Sequence, residues 1–349
     1  MSAPTRLIEG FPTSLTSSPA VPVAVNISLS SATVASVSTS PPGRPPSAKR
    51  PALIRCSVCV SWQEAATTRV PLGGNNTQLD YSQRVALTFS PADDLAVALA
   101  IAEEADRVSM GRFRSQDLEI STKPDRTPVT DADRAVEDII RDALRDARPR
   151  DQILGEERGH SAGAESSREW VIDPIDGTSN FLRGMPIWAT LIALTINGIP
   201  QVGVVSAPAL GRRWWAALGH GAFMSEYGEQ RELKVSSVSS LSDAVVTYNS
   251  LPGWMGVGRG DQAVALASAA WRARAIGDFW GFMLVAEGAM DVCGEFDLQP
   301  YDIAALWPIV TEAGGRFSSV DGEQSLATGS ALATNGLLHE QVMEIVAAR

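Results

Sequence analysis

An α/β (α+β) fold is expected for this 349-residue chain, on three observations. Helix-period segments and short β-branched runs alternate from residue 90 onward. Several of the strand pairs are antiparallel hairpins with turn residues between them, as at Asn197-Gly198. Hydrophobic residues make up 44% and charged residues 20%, which suits a globular protein with a large core. No apolar run reaches the roughly 18 residues a membrane span needs, so no membrane partner is expected.

Residues 1–89 stand apart. They are rich in Ser, Thr, Pro and Ala without apolar periodicity, and are expected to be a disordered extension. Seven Lys/Arg against three Asp/Glu leave residues 1–90 at +4, so the remainder carries −15 of the total −11. A start codon placed too far upstream is the favoured reading, with the ordered domain spanning 90–349; an organelle-targeting segment, which the excess of Arg and Ser mimics, is the alternative. So acidic a main body argues against a nucleic-acid partner. Three cysteines, Cys56, Cys59 and Cys293, cannot form a full disulfide framework, which suits a reducing, cytoplasmic setting. Cys56-x-x-Cys59 has no second pair, and His160, His220 and His339 show no partner pattern, so a zinc site or a histidine triad is not indicated.

Ser90-Pro91-Ala92-Asp93 opens the first helix, with a capping serine, a proline and an acid in the first turn. Val97, Ile101, Ala105 and Val108 recur at helical spacing up to about Gly111. Leu118-Glu119-Ile120 is a short extended piece and Lys123-Pro124-Asp125 a loop. The next helix carries Val136, Ile139, Ile140 and Leu144 on one face, with Asp133 in its first turn on that same face. Asp133 is therefore either a cap or a site residue. Gln152-Ile153-Leu154 reads as a strand ending at Gly155-Glu156-Glu157, and Trp170-Val171-Ile172 as a buried strand. Beyond it lie a hairpin (Ala189–Ile196 with Gln201–Ser206) and strands at Trp214–Ala217 and Gly221–Phe223. Further strands are expected at Lys234–Ser236 and Ala244–Tyr248, then a helix over Asp261–Trp271. Another helix starts at Gly277-Asp278, with Phe279, Met283, Ala286 and Met290 facing one way; Asp278 is either its cap or a site residue. Asp291–Phe296 is a strand carrying Glu295. Tyr301-Asp302 opens a helix that ends at Gly314-Gly315, and Pro308 should kink it. Strands at Arg316–Ser318 and Ala331–Ala333 and a helix from Leu337 finish the chain.

The chemistry centres on Asp173-Pro174-Ile175-Asp176-Gly177-Thr178-Ser179-Asn180. Two carboxylates sit on a stiff bend at a strand end, where Pro174 bars regular structure and Gly177 permits a sharp turn. Alone, D-x-x-D-G more often marks a plain turn. Thr178, Ser179 and Asn180 read as the start of a helix, whose N–H groups suit an anion. Carboxylates beside an anion site make sense with a hard cation between them.

This string, with Gly155-Glu156-Glu157 upstream and Tyr301-Asp302-Ile303-Ala304-Ala305 running into Glu312-Ala313-Gly314-Gly315 downstream, resembles the signature of the inositol monophosphatase-like family of metal-dependent phosphatases. The resemblance covers roughly residues 90–347 and implies a layered αβαβα sandwich of the sugar-phosphatase type. It implies Glu156, Asp173, the Ile175 carbonyl, Asp176 and Asp302 as ligands of two or three Mg²⁺, with Glu157 behind Glu156. It also implies Asp133 and Thr178 as the pair that activates water. The N–H groups of Gly177 and Thr178 would hold the phosphate, Ser179 would neighbour the substrate, and Glu295 falls where the family places a substrate-contacting acid; Asp278 and Asp297 would add charge nearby. Attack would be in line and directly from water, and the family is commonly dimeric. Ser179 and Tyr301 differ from the commonest family residues, and Pro308 departs from the family pattern.

Within the family, Thr127–Glu137, Val204–Leu210, Arg213–Ala217 and Leu284–Gly288 look closest to the histidinol-phosphatase branch of actinobacteria. L-Histidinol phosphate carries an ammonium and an imidazole, and an acidic pocket suits both. An inositol-1-phosphate or broad sugar-phosphate phosphatase would use the same machinery, and Glu295 does not discriminate between them. A non-catalytic regulatory relative is a third possibility; it would have no need of Asp133 and Thr178.

Overall fold

The computed structural model describes residues 89–122, 128–161 and 166–347. The expected features at residues 1–88, at Lys123–Asp125 and at Thr127, Cys56 and Cys59 included, lie outside them.

Helix α1 (Pro91–Arg112) opens with the expected capping Ser90, and Asp93 returns a bond to complete a capping box. A small antiparallel ribbon, β1 (Ile120–Thr122) with β2 (Pro128–Thr130), leads into α2 (Asp131–Ala147). Strands β3 (Gln152–Gly155), β4 (Gly159–His160), β5 (Arg168–Asp176), β6 (Ala189–Ile196), β7 (Ile199–Ala207), β8 (Arg212–Ala217), β9 (Ala222–Glu226) and β10 (Glu229–Glu232) form one sheet. Its order is β10-β9-β8-β7-β6-β5-β3-β4, antiparallel except where β3 lies parallel to β5. The β6–β7 turn has Asn197 and Gly198 at φ 52° and 76°, the left-handed pair that an Asn-Gly hairpin requires.

A second sheet has the order β12-β11-β13-β15-β14, from β11 (Val245–Tyr248), β12 (Arg272–Arg274), β13 (Val292–Phe296), β14 (Arg316–Ser318) and β15 (Ser330–Thr334). The remaining helices are α3 (Thr178–Leu182), α4 (Leu251–Gly256), α5 (Gly260–Ala269), α6 (Asp278–Ala286), α7 (Pro300–Ile303), α8 (Leu306–Glu312) and α9 (His339–Val346).

Alternation along the strands builds the layers. In β5, Trp170 and Ile172 face α1 and α2, while Val171 faces α6 and α8. In β8, Trp215 takes the first side and Trp214 the second. A strand covered on both faces reads as an unbroken apolar run. The second sheet shares the middle layer through Cys293, Phe317, Ala331 and Ala333, and turns Val246, Val292 and Leu332 toward Trp254 and helices α5 and α9. The result is the expected αβαβα stack.

Several elements differ from expectation. Ile139 is 36% exposed, while Glu137 and Arg141 are buried on α2 instead. Strand β5 does not end at Ile172. It runs through Pro174 to Asp176 with an extra residue opposite Thr190, so the missing proline N–H falls at a bulge. Lys234–Ser236 is not a strand; the Val235 N–H bonds to the Ala313 carbonyl at 3.0 Å. Helix α4 has no counterpart among the expected elements, Trp271 lies beyond α5 and 60% exposed, and Met290 is buried but past the end of α6. The expected kinked helix is two helices, α7 and α8, broken at Ala304-Ala305. Pro308 cannot bond to the Ala304 carbonyl, and it falls in the first turn of α8, where no N–H is needed. The break lets the Ala305 carbonyl and Pro308 press on Gly203 of β7, where a Cβ would overlap both.

Candidate active site

Three segments deliver the four candidate ligand acids. Strand β5 ends with Asp173, 2% exposed, and Asp176. Strand β3 runs parallel beside it, and the Glu156 N–H bonds to the Ile172 carbonyl at 3.2 Å, so Glu156 leaves its strand next to Asp173. Helix α7 brings Asp302, whose carboxylate accepts the Gln299 N–H at 2.6 Å. Among the described residues, Asp173, Asp176 and Asp302 form the one group of potential metal ligands, with an oxygen of each within 4.8 Å of the others.

Asp133 belongs to the cap of its helix, and it also meets Thr178. Its Oδ2 caps α2, accepting the Thr130 N–H at 2.8 Å and the Thr130 hydroxyl at 2.6 Å. Its Oδ1 faces the Thr178 hydroxyl at 3.3 Å. Thr178 has one proton and a second acceptor, the Ile175 carbonyl, at 3.0 Å. Gly177 caps α3 at φ 83°, in the left-handed region that suits glycine. Beneath them Ala132, Ile175, Phe181 and Trp188 share a small core with Phe113, and the Phe181 and Trp188 rings meet edge to face at 5.0 Å. This core holds the first turn of α2 against the Asp-Gly-Thr turn.

Asp278 is not the cap of its own helix. Strained to φ 52°, it accepts the Asn180 amide at 2.9 Å. The Phe279 N–H at the start of α6 goes to Asp176 Oδ2 at 2.7 Å, so a carboxylate from β5 caps a helix 103 residues on. A cavity of about 180 Å³ opens here, lined by Asp176, Asp278, Glu295, Asp297, Asp302 and Asn249 over Phe279 and Phe282, with no Lys or Arg among its lining residues. Ser179 is exposed and outside that lining. Asn249, whose amide donates to Glu295, is a neighbour of the cavity acids that the sequence does not single out. A single Asn after a strand carries no signal of its own.

The electrostatics follow from this crowding. Burial, then the charge of Glu156, pushes the Asp173 carboxyl well above the ordinary carboxylate range. Burial, then Asp278, does the same to Asp176 and to Glu295. Burial carries Asp302 up to about 7, against the pull of the Gln299 N–H. Asp133 and Asp278 are raised by burial and held back by Thr130 and Asn180. Among the described residues, Asp173 Oδ1 is buried with no hydrogen-bond partner. Mutually repelling hard oxygens with an unpartnered atom among them fit a hard divalent cation. Glu295 Oε2 is likewise buried and unpartnered, which suits a donor from a substrate.

The sequence profile of the inositol monophosphatase family matches residues 91–349. The histidinol-phosphatase of Mycobacterium tuberculosis is 53% identical over 252 residues, 72% of this chain and 96% of that protein. The histidinol-phosphatase of Streptomyces coelicolor is 51% identical over 256 residues, again 72% and 96%. An inositol-1-monophosphatase of Mesorhizobium japonicum is 36% identical over 239 residues, 66% of this chain and 87% of that protein. Among solved structures, the extragenic suppressor protein SuhB of Bartonella henselae superposes with TM-score 0.66 at 29% identity, over 72% of this chain and 97% of that one. The Thermotoga maritima IMPase gives 0.64 at 30%, over 73% and 96%. The signature acids, the layered fold and these matches agree: the chain belongs to the inositol monophosphatase family.

Proposed function

We propose that this chain is a Mg²⁺-dependent phosphomonoesterase that hydrolyses L-histidinol phosphate to L-histidinol and phosphate, acting in the cytoplasm as a homodimer. The observation that carries the reading is a conjunction. Thr178, two residues past Asp176, meets Asp133; Asp173, Asp176 and Asp302 cluster within 4.8 Å; and Asp176 and Asp302 are two of the five carboxylates that line one cavity.

Glu156, Asp173, Asp176 and Asp302, with the Ile175 carbonyl, would hold the cations. Bound there, Mg²⁺ supplies positive charge that neutralises the phosphoryl oxygens and the leaving alkoxide. The chain's own residues do the rest. Thr178 accepts a proton from the attacking water while its hydroxyl donates to Asp133, so the proton ends on Asp133. Burial raises the Asp133 carboxyl toward the range where a carboxylate is an effective base. Water adds to phosphorus on one side as the bond to the substrate oxygen breaks on the other, without a covalent enzyme intermediate. The backbone N–H groups of Gly177 and Thr178 face the phosphate. Glu295, held by Asn249, and Asp278, held by Asn180, face the ammonium and imidazole. Identity of 51–53% to two histidinol-phosphatases supports this substrate. An inositol-1-phosphate phosphatase is the second reading, favoured by the 36% relative and by the fact that Glu295 serves a polyol equally.

The test is phosphate release by the purified chain with Mg²⁺, on L-histidinol phosphate and on inositol 1-phosphate. At least tenfold higher kcat/KM for histidinol phosphate, about 1.4 kcal/mol of transition-state preference, is expected. The reverse preference would discard the substrate and keep the chemistry. Asp176→Asn should abolish release from either ester while the chain stays folded; unchanged turnover would sink the mechanism.

A further inference from the structure

Glu137 is a glutamate with no exposed surface, one turn beyond Asp133 on α2, and the water-activating chemistry does not use it. Both its oxygens are occupied. Oε2 accepts the Glu157 N–H at 2.7 Å. Oε1 accepts the Arg158 N–H at 3.1 Å and Arg141 Nε at 2.6 Å. Arg141, itself buried, also donates through Nη2 to the Gly159 carbonyl. The carboxylate lies where a side chain on Gly155 would stand, since a Cβ there would overlap it. The Gly155–Gly159 turn is thus folded around the Glu137–Arg141 pair. Glu156 lies in this turn, with its own N–H on Ile172 and the next two N–H groups on Glu137.

We infer that Glu137, braced by Arg141, is a positioning residue that sets the aim of Glu156 and thereby the metal affinity of the site. The inference rests on the reading of Glu156 as a metal ligand. Glu137 cannot be a ligand itself, because three protein donors take its oxygens. A neutral isostere cannot replace it. Glutamine would turn its NH₂ group either toward the Glu157 N–H or toward Arg141 and the Arg158 N–H, and each placement sets donor against donor. Groups that orient metal ligands from behind typically change affinity about 10- to 100-fold when altered.

The experiment is Mn²⁺ binding to the full chain, followed by the EPR signal of free Mn²⁺, with thermal melting in EDTA as the check of folding. Glu137→Gln should melt cooperatively and bind Mn²⁺ about 10- to 100-fold more weakly. Its apparent activation constant for Mg²⁺ should rise while most of kcat returns at saturating metal. Glu156→Gln should lose at least as much affinity. Wild-type affinity in Glu137→Gln beside a loss in Glu156→Gln would overturn the inference alone. Wild-type affinity in Glu156→Gln would overturn the ligand assignment, and this inference with it. Arg141→Lys answers the same question should Glu137→Gln not fold. Lysine keeps the charge but cannot bridge Glu137 and the Gly159 carbonyl as the guanidinium does, so the same direction of loss supports the inference and wild-type affinity overturns it.

Discussion

Asp302→Asn should make the metal-free protein progressively more stable than wild type as pH rises. An ordinary aspartate titrates near 3.8, and burial carries Asp302 up to about 7 in the folded chain. The folded state therefore binds a proton that the unfolded state has released. That stabilisation is complete below about pH 3.8 and is lost as pH rises through about 7. With these two values, the protonated carboxyl stabilises the fold by about 2 kcal/mol more at pH 5 than at pH 7. Asparagine stays neutral throughout and keeps an oxygen for the Gln299 N–H. His339 works in the opposite sense, since burial lowers its imidazole to about 4, but wild type and variant share it and it cancels in the difference. Urea unfolding in EDTA at pH 5, 6, 7 and 8 reads the effect, and the variant should gain about 2 kcal/mol on wild type between pH 5 and 7. Asp302 shares its field with Asp173 and Asp278, so the difference reports a coupled cluster. Added Mg²⁺ should stabilise wild type more at pH 8 than at pH 5, because binding needs ionised carboxylates. A wild-type–variant difference that does not change with pH would refute the crowding argument.

Thr178→Val removes the hydroxyl between Ile175 and Asp133; kcat for phosphate release should fall about 100-fold or more, with Mn²⁺ affinity unchanged. Trp188→Ala empties the fully buried core under the Asp-Gly-Thr turn and should cost about 3–5 kcal/mol in urea unfolding, with catalysis lost before global structure as denaturant rises. Gly203→Ala drives a methyl into the Ala305 carbonyl and Pro308; a loss of about 1–3 kcal/mol is expected, and a neutral result would mean that α8 can shift away from β7.

The Asp-x-x-Asp-Gly-Thr string is readable because its information is local: a strand end, a proline, a glycine turn and a helix-opening threonine lie within a few residues of one another. Periodicity places Asp133 on the inward face of α2, but it cannot say that one oxygen caps the helix and the other meets Thr178. Glu137 shows the limit most clearly. An apolar pattern assigns the buried face of α2 to Ile139, yet the structure turns Glu137 and Arg141 inward because the Gly155–Gly159 turn brings N–H and carbonyl groups that need them. Position along the chain suggests Asp278 as a helix cap; the cap comes instead from Asp176, across 103 residues.

Composition, periodicity and turn chemistry thus determine the alternation of helices and strands, the family signature and the identity of the acids, since each depends on neighbours along the chain. Packing decides the rest. Stacking the layers brings Asp173, Asp176 and Asp302 within 4.8 Å and shifts their protonation. It also decides which polar side chains are buried to hold the site in place. These are properties of apposed surfaces, where burial strengthens every charge and leaves no unpaired donor without cost.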